Sequence, residues 1–99
     1  MKFYSYVELS GVVLWGGAYR QKDDKYTHKY IVCVKERFND NLKKHNFQVV
    51  QHNQKNKKVY ERGSLLEING TLKVNSYKEK EEWINQVYIQ ANEIKLIEE

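Results

Sequence analysis

The 99-residue chain is predicted to be an all-β barrel of five strands. Short runs of β-branched and aromatic residues alternate with polar stretches along its length. No segment carries a sustained apolar repeat of 3.6 residues, which argues against long amphipathic helices. The last part, from Lys58 to Glu99, has the pattern of two strands joined by a polar hairpin. A chain of this length supports one hydrophobic core, so we expect a single domain over residues 1–99.

The first three strands are predicted at Tyr4–Trp15, Tyr26–Lys35 and Phe47–His52. Gly11 marks a bulge or sharp bend in strand one, because glycine inside a strand commonly has that role in small barrels. Gly16 and Gly17 are expected to release the chain into a loop at residues 18–28. Residues 36–46 are polar and are predicted to connect strands two and three.

The remaining elements complete the barrel. Residues 53–62 are predicted to form a short helix that plugs one end and stops at Gly63, in the left-handed position that ends many helices. Strand four, Leu65–Val74, alternates cleanly, with these residues inward: Leu66, Ile68, Gly70, Leu72 and Val74. Strand five directs Val87, Ile89 and Ala91 inward, then Ile94 and Leu96, and the change of phase predicts a bulge near Asn92 or Glu93. Five strands with a helix between strands three and four is the order of the OB-fold, a Greek-key barrel that binds oligonucleotides on strands two and three.

Charge is unevenly distributed along the chain. The net charge is +4, yet residues 41–78 hold eight Lys or Arg and two Glu, which leaves the rest of the chain at −2. A basic middle suits a surface that faces phosphates, and it equally suits a solvated lysine-rich face. No apolar run approaches the roughly 18 residues of a membrane helix, and no signal-peptide pattern opens the chain. With Cys33 lacking a disulfide partner, we expect a cytoplasmic location.

Catalytic and metal sites are not predicted. Cys33 and the three histidines, His28, His45 and His52, lack the spacing of zinc ligands. Adjacent carboxylates at residues 23 and 24 suit a turn better than acid–base chemistry. We therefore expect a binding protein that is not an enzyme and that has no cofactor.

Three motifs carry a resemblance to a known family: VELSGVVL near the start, VYERGSLLEINGTLKVNSY in the middle and YIQANEIKLIE at the end. With these motifs the chain resembles the bacterial single-stranded DNA-binding proteins and the related primosomal proteins. The resemblance implies an OB-fold that wraps single strands without reading sequence and assembles as a homo-oligomer, either a dimer or a tetramer. The chain stops two residues after Ile97 without an acidic tip, so the recruitment of replication proteins is in doubt.

The resemblance also implies stacking residues, at Phe38, Phe47 and Tyr77, with Trp83 as an additional platform and His52 as an alternative to Phe47. Aromatic rings stack on any base and contribute about 1–3 kcal/mol per base. Phe38 and Phe47 equally suit the core or a subunit interface, and Trp83 equally suits a barrel cap. Tyr30, Tyr60 and Tyr88 are expected to be packing residues with a solvated hydroxyl, while Trp15 fits either role.

Basic side chains supply candidate phosphate contacts, at Arg20, Lys29, Arg37, Lys43, Lys44, Lys55, Lys57, Lys58, Lys73 and Lys78. The leading prediction is sequence-tolerant binding of single-stranded DNA during replication or recombination, including that of a plasmid, phage or mobile element. One alternative is an OB-fold subunit whose aromatic residues anchor a protein partner. The other is a single-stranded RNA binder, because stacking does not distinguish the two sugars.

Overall fold

Five long strands wind into a closed barrel in the computed structural model, which describes residues 6–98, without the side chains of Phe38 and Glu98. The strands are β1 Tyr6–Arg20, β2 Tyr26–Phe38, β3 Asn41–Gln54, β4 Leu65–Glu79 and β5 Glu82–Glu98. They close in the order β1-β2-β3-β5-β4, and β1 also pairs with β4. Every pairing is antiparallel except that of β3 with β5, where Val49 lies opposite Ile89. The predicted five-stranded all-β barrel is confirmed, while the predicted position of Tyr4 lies outside the described residues.

The core lies inside this barrel and draws on all five strands. Its fully buried side chains are Val13, Tyr30, Val32, Val49, Leu66, Ile68 and Ile89. The inward face predicted for strand four holds through Gly70, but Leu72 is 41% exposed and Val74 58% exposed. Leu72 and Val74 keep the predicted side of the strand, opposite Ile89 and Val87, but they are exposed because β4 and β5 continue there as a hairpin beyond the barrel.

Both projecting hairpins are longer than predicted. The strand β2 continues to Phe38 and β3 begins at Asn41, so most of residues 36–46 is paired strand instead of a connection. The turn is Asn39–Asp40, where both residues have positive φ, as a two-residue type I′ hairpin requires. The prediction of a connection was wrong because residues 36–46 are mostly polar. A hairpin that is exposed on both faces needs no alternation of apolar residues.

Gly16 and Gly17 lie inside β1 and do not release a loop, so β1 extends to Arg20. A Cβ added to Gly16 would lie 3.0 Å from Cδ1 of Tyr30, and one added to Gly17 would lie 2.8 Å from Cη2 of Trp15. The two glycines therefore make room for aromatic rings on opposite faces of the strand. The loop between β1 and β2 shortens to residues 21–25.

Two bulges set which residues face the core. The one predicted near Asn92 is confirmed, because Asn69 pairs with Glu93 whereas Gly70 pairs with Ala91. In β1 the extra residue is Leu14 instead of Gly11. An extra residue reverses the inward or outward direction of every later side chain in the strand. The residues of β1 after Leu14 that point outward are therefore those that would point inward in a regular strand.

The segment 55–64 between β3 and β4 contains no helix, which corrects the prediction of a short helical plug. Its polar groups bond to the barrel instead: His28 Nε2 lies 2.8 Å from the carbonyl oxygen of Asn56, and Tyr60 N donates to the Tyr30 hydroxyl over 3.2 Å. A segment with so few apolar residues has no stripe to bury as a helix. Gly63 has φ of 96°, in the left-handed region as predicted. Across residues 6–98 no helix has the length and hydropathy needed to cross a membrane.

Candidate nucleic-acid interface

One wall of the barrel, hereafter the outer face, combines aromatic, basic and amide side chains. It consists of the outward-pointing residues of the second half of β1, of β2, of β3 and of the β4–β5 hairpin. By strand alternation and register they include, nearest the barrel, Trp15, Tyr19, Lys29, Ile31, Gln48, Val50, His52, Lys73, Asn75, Tyr77, Ile84, Gln86, Tyr88 and Gln90.

A groove crosses the outer face where β3 runs beside β5. It has a volume of about 320 Å³, and its lining residues are Lys29, Gln48, Val50, His52, Asn75, Gln86 and Tyr88. Across it, Gln86 Nε2 donates to Gln48 Oε1 over 2.9 Å. At one end, Thr27 Oγ1 lies 3.1 Å from His52 Nδ1. The groove therefore has one phenol ring, one imidazole ring, one lysine and several amide groups within a single shallow depression.

The bulge at Leu14 directs two further rings onto the same face. Trp15, opposite Ile31, and Tyr19, opposite Thr27, both point outward and are about half exposed. Lys29 Nζ lies 5.0 Å from the centroid of the Tyr19 ring, within the range of a cation–π contact. This contact holds the lysine between the β1 rings and the groove.

Charge separates the two sides of the barrel. Lys29 and Lys73 point outward on the outer face, and Arg37 and Lys44 point the same way on the β2–β3 hairpin. Acidic residues on this side lie at the tip of the β4–β5 hairpin, at Glu79 and Glu82. The wall formed by the first half of β1 with β4 and the end of β5 instead carries three glutamates, Glu8, Glu67 and Glu93. Lys95 lies among them, with its Nζ 3.4 Å from Glu93. A polyanion approaching the barrel is therefore attracted to the outer face and repelled from this acidic wall.

Of the predicted stacking residues whose side chains the structure describes, Tyr77 alone lies on the outer face. Tyr77 lies opposite Ile84 on that face and is 42% exposed. Phe47 lies opposite Val32 on the core side of β3, and Trp83 lies on the core-side face of its hairpin, 71% exposed. Phe38 pairs with Asn41 at the end of β2. A stacking role for these four residues stays a prediction.

The ten predicted phosphate contacts are spread over the molecule. Lys29 and Lys73 lie on the outer face, whereas Lys78 is near the tip of the β4–β5 hairpin. The β2–β3 hairpin carries Arg37, Lys43 and Lys44, and the segment 55–64 carries Lys55, Lys57 and Lys58. Arg20 forms an exposed ion pair with Asp24 at 2.6 Å. Four of the ten therefore point to the side of the sheet that bears the groove: Lys29 and Lys73 near the groove, and Arg37 and Lys44 on the β2–β3 hairpin.

Sequence reasoning missed Tyr19, assigned Tyr88 to packing, and did not consider the amides of Gln48 and Gln86. The signal for Tyr88 was present, because it adjoins the inward Ile89 and must point outward in a regular strand. Tyr19 carried no such signal, since its direction depends on the Leu14 bulge. The assignment of Tyr30 to packing is confirmed, as this residue is 1% exposed, but its hydroxyl is buried and accepts a hydrogen bond from Tyr60 N instead of being solvated.

Tyr30 is the one group in the described part of the chain whose protonation is clearly perturbed. Burial raises the pKa of its phenol, although the hydrogen bond from Tyr60 N lowers it somewhat. Tyr30 thus stays neutral at physiological pH and keeps its own O–H as a donor. Residues 6–98 contain no cluster of three His, Cys, Asp or Glu that could hold a metal ion.

Comparison with known proteins shows the fold. No protein-family model and no curated protein matches the chain. Among solved structures, the barrel is similar to the small single-stranded DNA-binding protein from Streptomyces coelicolor, with a TM-score of 0.75 and 14% identity over 96% of this chain and 95% of that one. It is also similar to the Plasmodium falciparum SSB in complex with ssDNA, with a TM-score of 0.76 and 15% identity over 99% and 96%. The chain therefore has the OB-fold that these two proteins share.

Proposed function

We propose that the protein binds single-stranded DNA without strong sequence preference, along the outer face. The observation that carries this proposal is the groove beside Tyr88, with Lys29 at its edge and further rings on both sides. The likeness to two single-strand DNA-binding proteins supports it, since one of them was solved with ssDNA. Protection or presentation of single strands in replication or recombination, alongside replication proteins, is the role that we propose for this activity.

The mechanism follows from what the outer face offers. Rings on β1, in the groove and on β4 provide platforms on which unpaired bases stack, whatever their identity. Lys29 and Lys73 neutralise phosphates and release counterions. The amides of Gln48 and Gln86 satisfy polar base edges that would otherwise lose their hydrogen bonds to water. One OB-fold covers about 4–16 nucleotides, so we expect the outer face of one chain to hold a short stretch of strand.

We expect single-strand binding to weaken as salt rises, and to do so less steeply when Lys29 is replaced. Lys29→Met removes one phosphate contact, so the slope of log affinity against log salt should become shallower by about 0.7. The measurement is quenching of intrinsic fluorescence by oligo-dT over a salt series. Lys95→Met on the acidic wall is the matched control and should leave the slope unchanged. The proposal fails if oligo-dT does not quench the fluorescence of the wild type at low salt. Competition with an RNA oligonucleotide of matched sequence tests the sugar, and tighter binding of the RNA would identify RNA as the ligand.

We also propose that copies of the chain assemble, so that several outer faces form one longer path. Val74 and Val87 support this, because they lie opposite each other on the core-side face of the β4–β5 hairpin and are 58% and 55% exposed. Leu72 and Trp83 are exposed on the same face, and apolar residues gathered on one exposed face commonly mark a contact surface. Light scattering should give a multiple of the 11.9 kDa chain mass. Val87→Glu should reduce it to the monomer value, and a wild-type mass of one chain would contradict assembly.

A further inference from the structure

A second and larger cavity opens at the end of the barrel, beneath the segment 55–64. Its volume is about 650 Å³, within the range typical of small-molecule sites. It lies on the other face of β3 from the groove: Gln51 and Gln54 line the cavity, whereas Val50 and His52 line the groove. The segment 55–64 above it contains no helix.

The roof of this cavity is fixed to the barrel at several points. Asn56 and Tyr60 are held by the hydrogen bonds to His28 and Tyr30 described above. Farther along, Gly63 N donates to the Val13 carbonyl over 2.9 Å, and Val13 N donates to Ser64 O over 2.9 Å. A cavity held open by bonds at both ends of its roof needs little reorganisation to receive a ligand.

The walls of the cavity offer an aromatic ring for stacking and amide groups for hydrogen bonds. Tyr60 is half-buried, and its ring centroid lies 6.2 Å from that of the fully buried Tyr30. Side chains of Gln51 and Gln54 line the same space and present amide donors and acceptors. An aromatic surface beside amide groups is how proteins commonly recognise an unpaired nucleobase, by stacking and by hydrogen bonds to its edge.

Positive charge lies at the same cavity. Lys58 and Arg62 are exposed lining residues, and neither forms an ion pair with another described residue. Glu61 is the acidic residue among the lining side chains, so the lining carries a net positive charge. Guanidinium groups bind phosphate with two parallel hydrogen bonds, and an ammonium group adds a point charge.

We propose that this cavity binds a nucleoside 5′-monophosphate, with the base against Tyr60 and the phosphate at Arg62 and Lys58. Two sources would present this chemistry: a free nucleotide, and the 5′-phosphorylated terminal nucleotide of a strand. Binding of the free nucleotide does not depend on single-strand binding by the outer face. The two activities are therefore separable by experiment.

The test uses the full chain with thymidine 5′-monophosphate, followed by NMR amide shifts and by calorimetry. We expect the amides of Gly63 and Ser64 to shift, and Arg62→Gln to weaken binding about fivefold or more. Lys35→Gln, which makes the same charge change on an exposed part of β2, should change the affinity less than about twofold. Because Arg62 is exposed, its replacement should leave the amide spectrum otherwise intact.

A second arm separates the two sources by comparing oligo-dT with and without a 5′-phosphate. If the phosphorylated strand binds more tightly and loses that advantage in Arg62→Gln, the strand end is a ligand. If only the free nucleotide responds to Arg62→Gln, the ligand is the free nucleotide. Two results together would overturn the proposal. Thymidine monophosphate at about 1 mM would shift no cavity amide, or only groove residues such as Lys29 and Tyr88, and a 5′-phosphate would not change the affinity for oligo-dT.

Discussion

Gly70→Ala is expected to destabilise the protein by about 3 kcal/mol or more, because overpacking against backbone cannot be relieved by a side-chain rotation. Gly70 is buried in β4 opposite Ala91, next to the bulge at Asn92. An added Cβ would collide with the carbonyl oxygen of Gln90 and lie 2.9 Å from the Cα of Ala91. Both obstacles are backbone atoms of β5, so β4 and β5 would have to separate. Urea unfolding followed by circular dichroism measures the loss.

Gly63→Ala is the control for this prediction. No atom lies within 4 Å of a Cβ added there, and the only obstacle is the left-handed φ of 96°. Its cost should be about 1–2 kcal/mol, the penalty for an L-residue in that region. If Gly70→Ala costs no more than Gly63→Ala, the close approach of β4 to β5 is not as described.

Tyr88→Leu is expected to weaken oligo-dT binding by about 1–2 kcal/mol, or roughly 5- to 30-fold, at unchanged salt slope. The substitution removes the ring in the groove and keeps both apolar bulk and net charge. Stacking is lost while the phosphate contacts persist, so the affinity falls and its dependence on salt does not. Fluorescence titration at two or more salt concentrations gives both quantities.

Phe47→Leu is the matched comparison, since it also replaces a ring with leucine, on the core side of β3. We expect less than about a twofold change in affinity, because this ring does not point into the groove. A larger loss from Phe47→Leu than from Tyr88→Leu would restore the stacking role that the sequence suggested for Phe47. The strand would then run along the core-side faces of the projecting hairpins.

The barrel itself was predictable because apolar core residues alternate with polar residues along its strands. Strand four shows this best: Leu66 and Ile68 alternate with polar residues, and both are fully buried. The phase change in strand five likewise predicted the bulge at Asn92, since no regular strand can turn both Ala91 and Ile94 inward. A strand that is buried on one face shows alternating apolar and polar residues in its sequence, and strands four and five are buried on one face.

The elements that sequence reasoning misplaced are those without a buried face. The β2–β3 hairpin is exposed on both faces beyond the barrel and mostly polar, so residues 36–46 look like a loop although most of them pair. The segment 55–64 is held by individual hydrogen bonds to His28, Tyr30 and Val13, and such bonds leave no periodic signal.

The composition of the outer face was less predictable than the fold, and a single inserted residue explains much of the difference. Without the bulge at Leu14, Trp15 would continue the inward alternation of Val13; with it, Trp15 and Tyr19 face outward. Nothing in the local sequence distinguishes the two registers. Lys29, Lys73 and Tyr77 were predicted as contacts and do lie on this face, because each belongs to a strand whose alternation is regular.

The central claim is that single-stranded DNA lies across the outer face, and an NMR titration with oligo-dT tests it most directly. We expect the largest amide shifts at Tyr19, Lys29, Gln48 and Tyr88, with little change at Glu8, Glu67 and Glu93 on the acidic wall. Shifts concentrated on the acidic wall, or spread evenly over both walls, would contradict the claim.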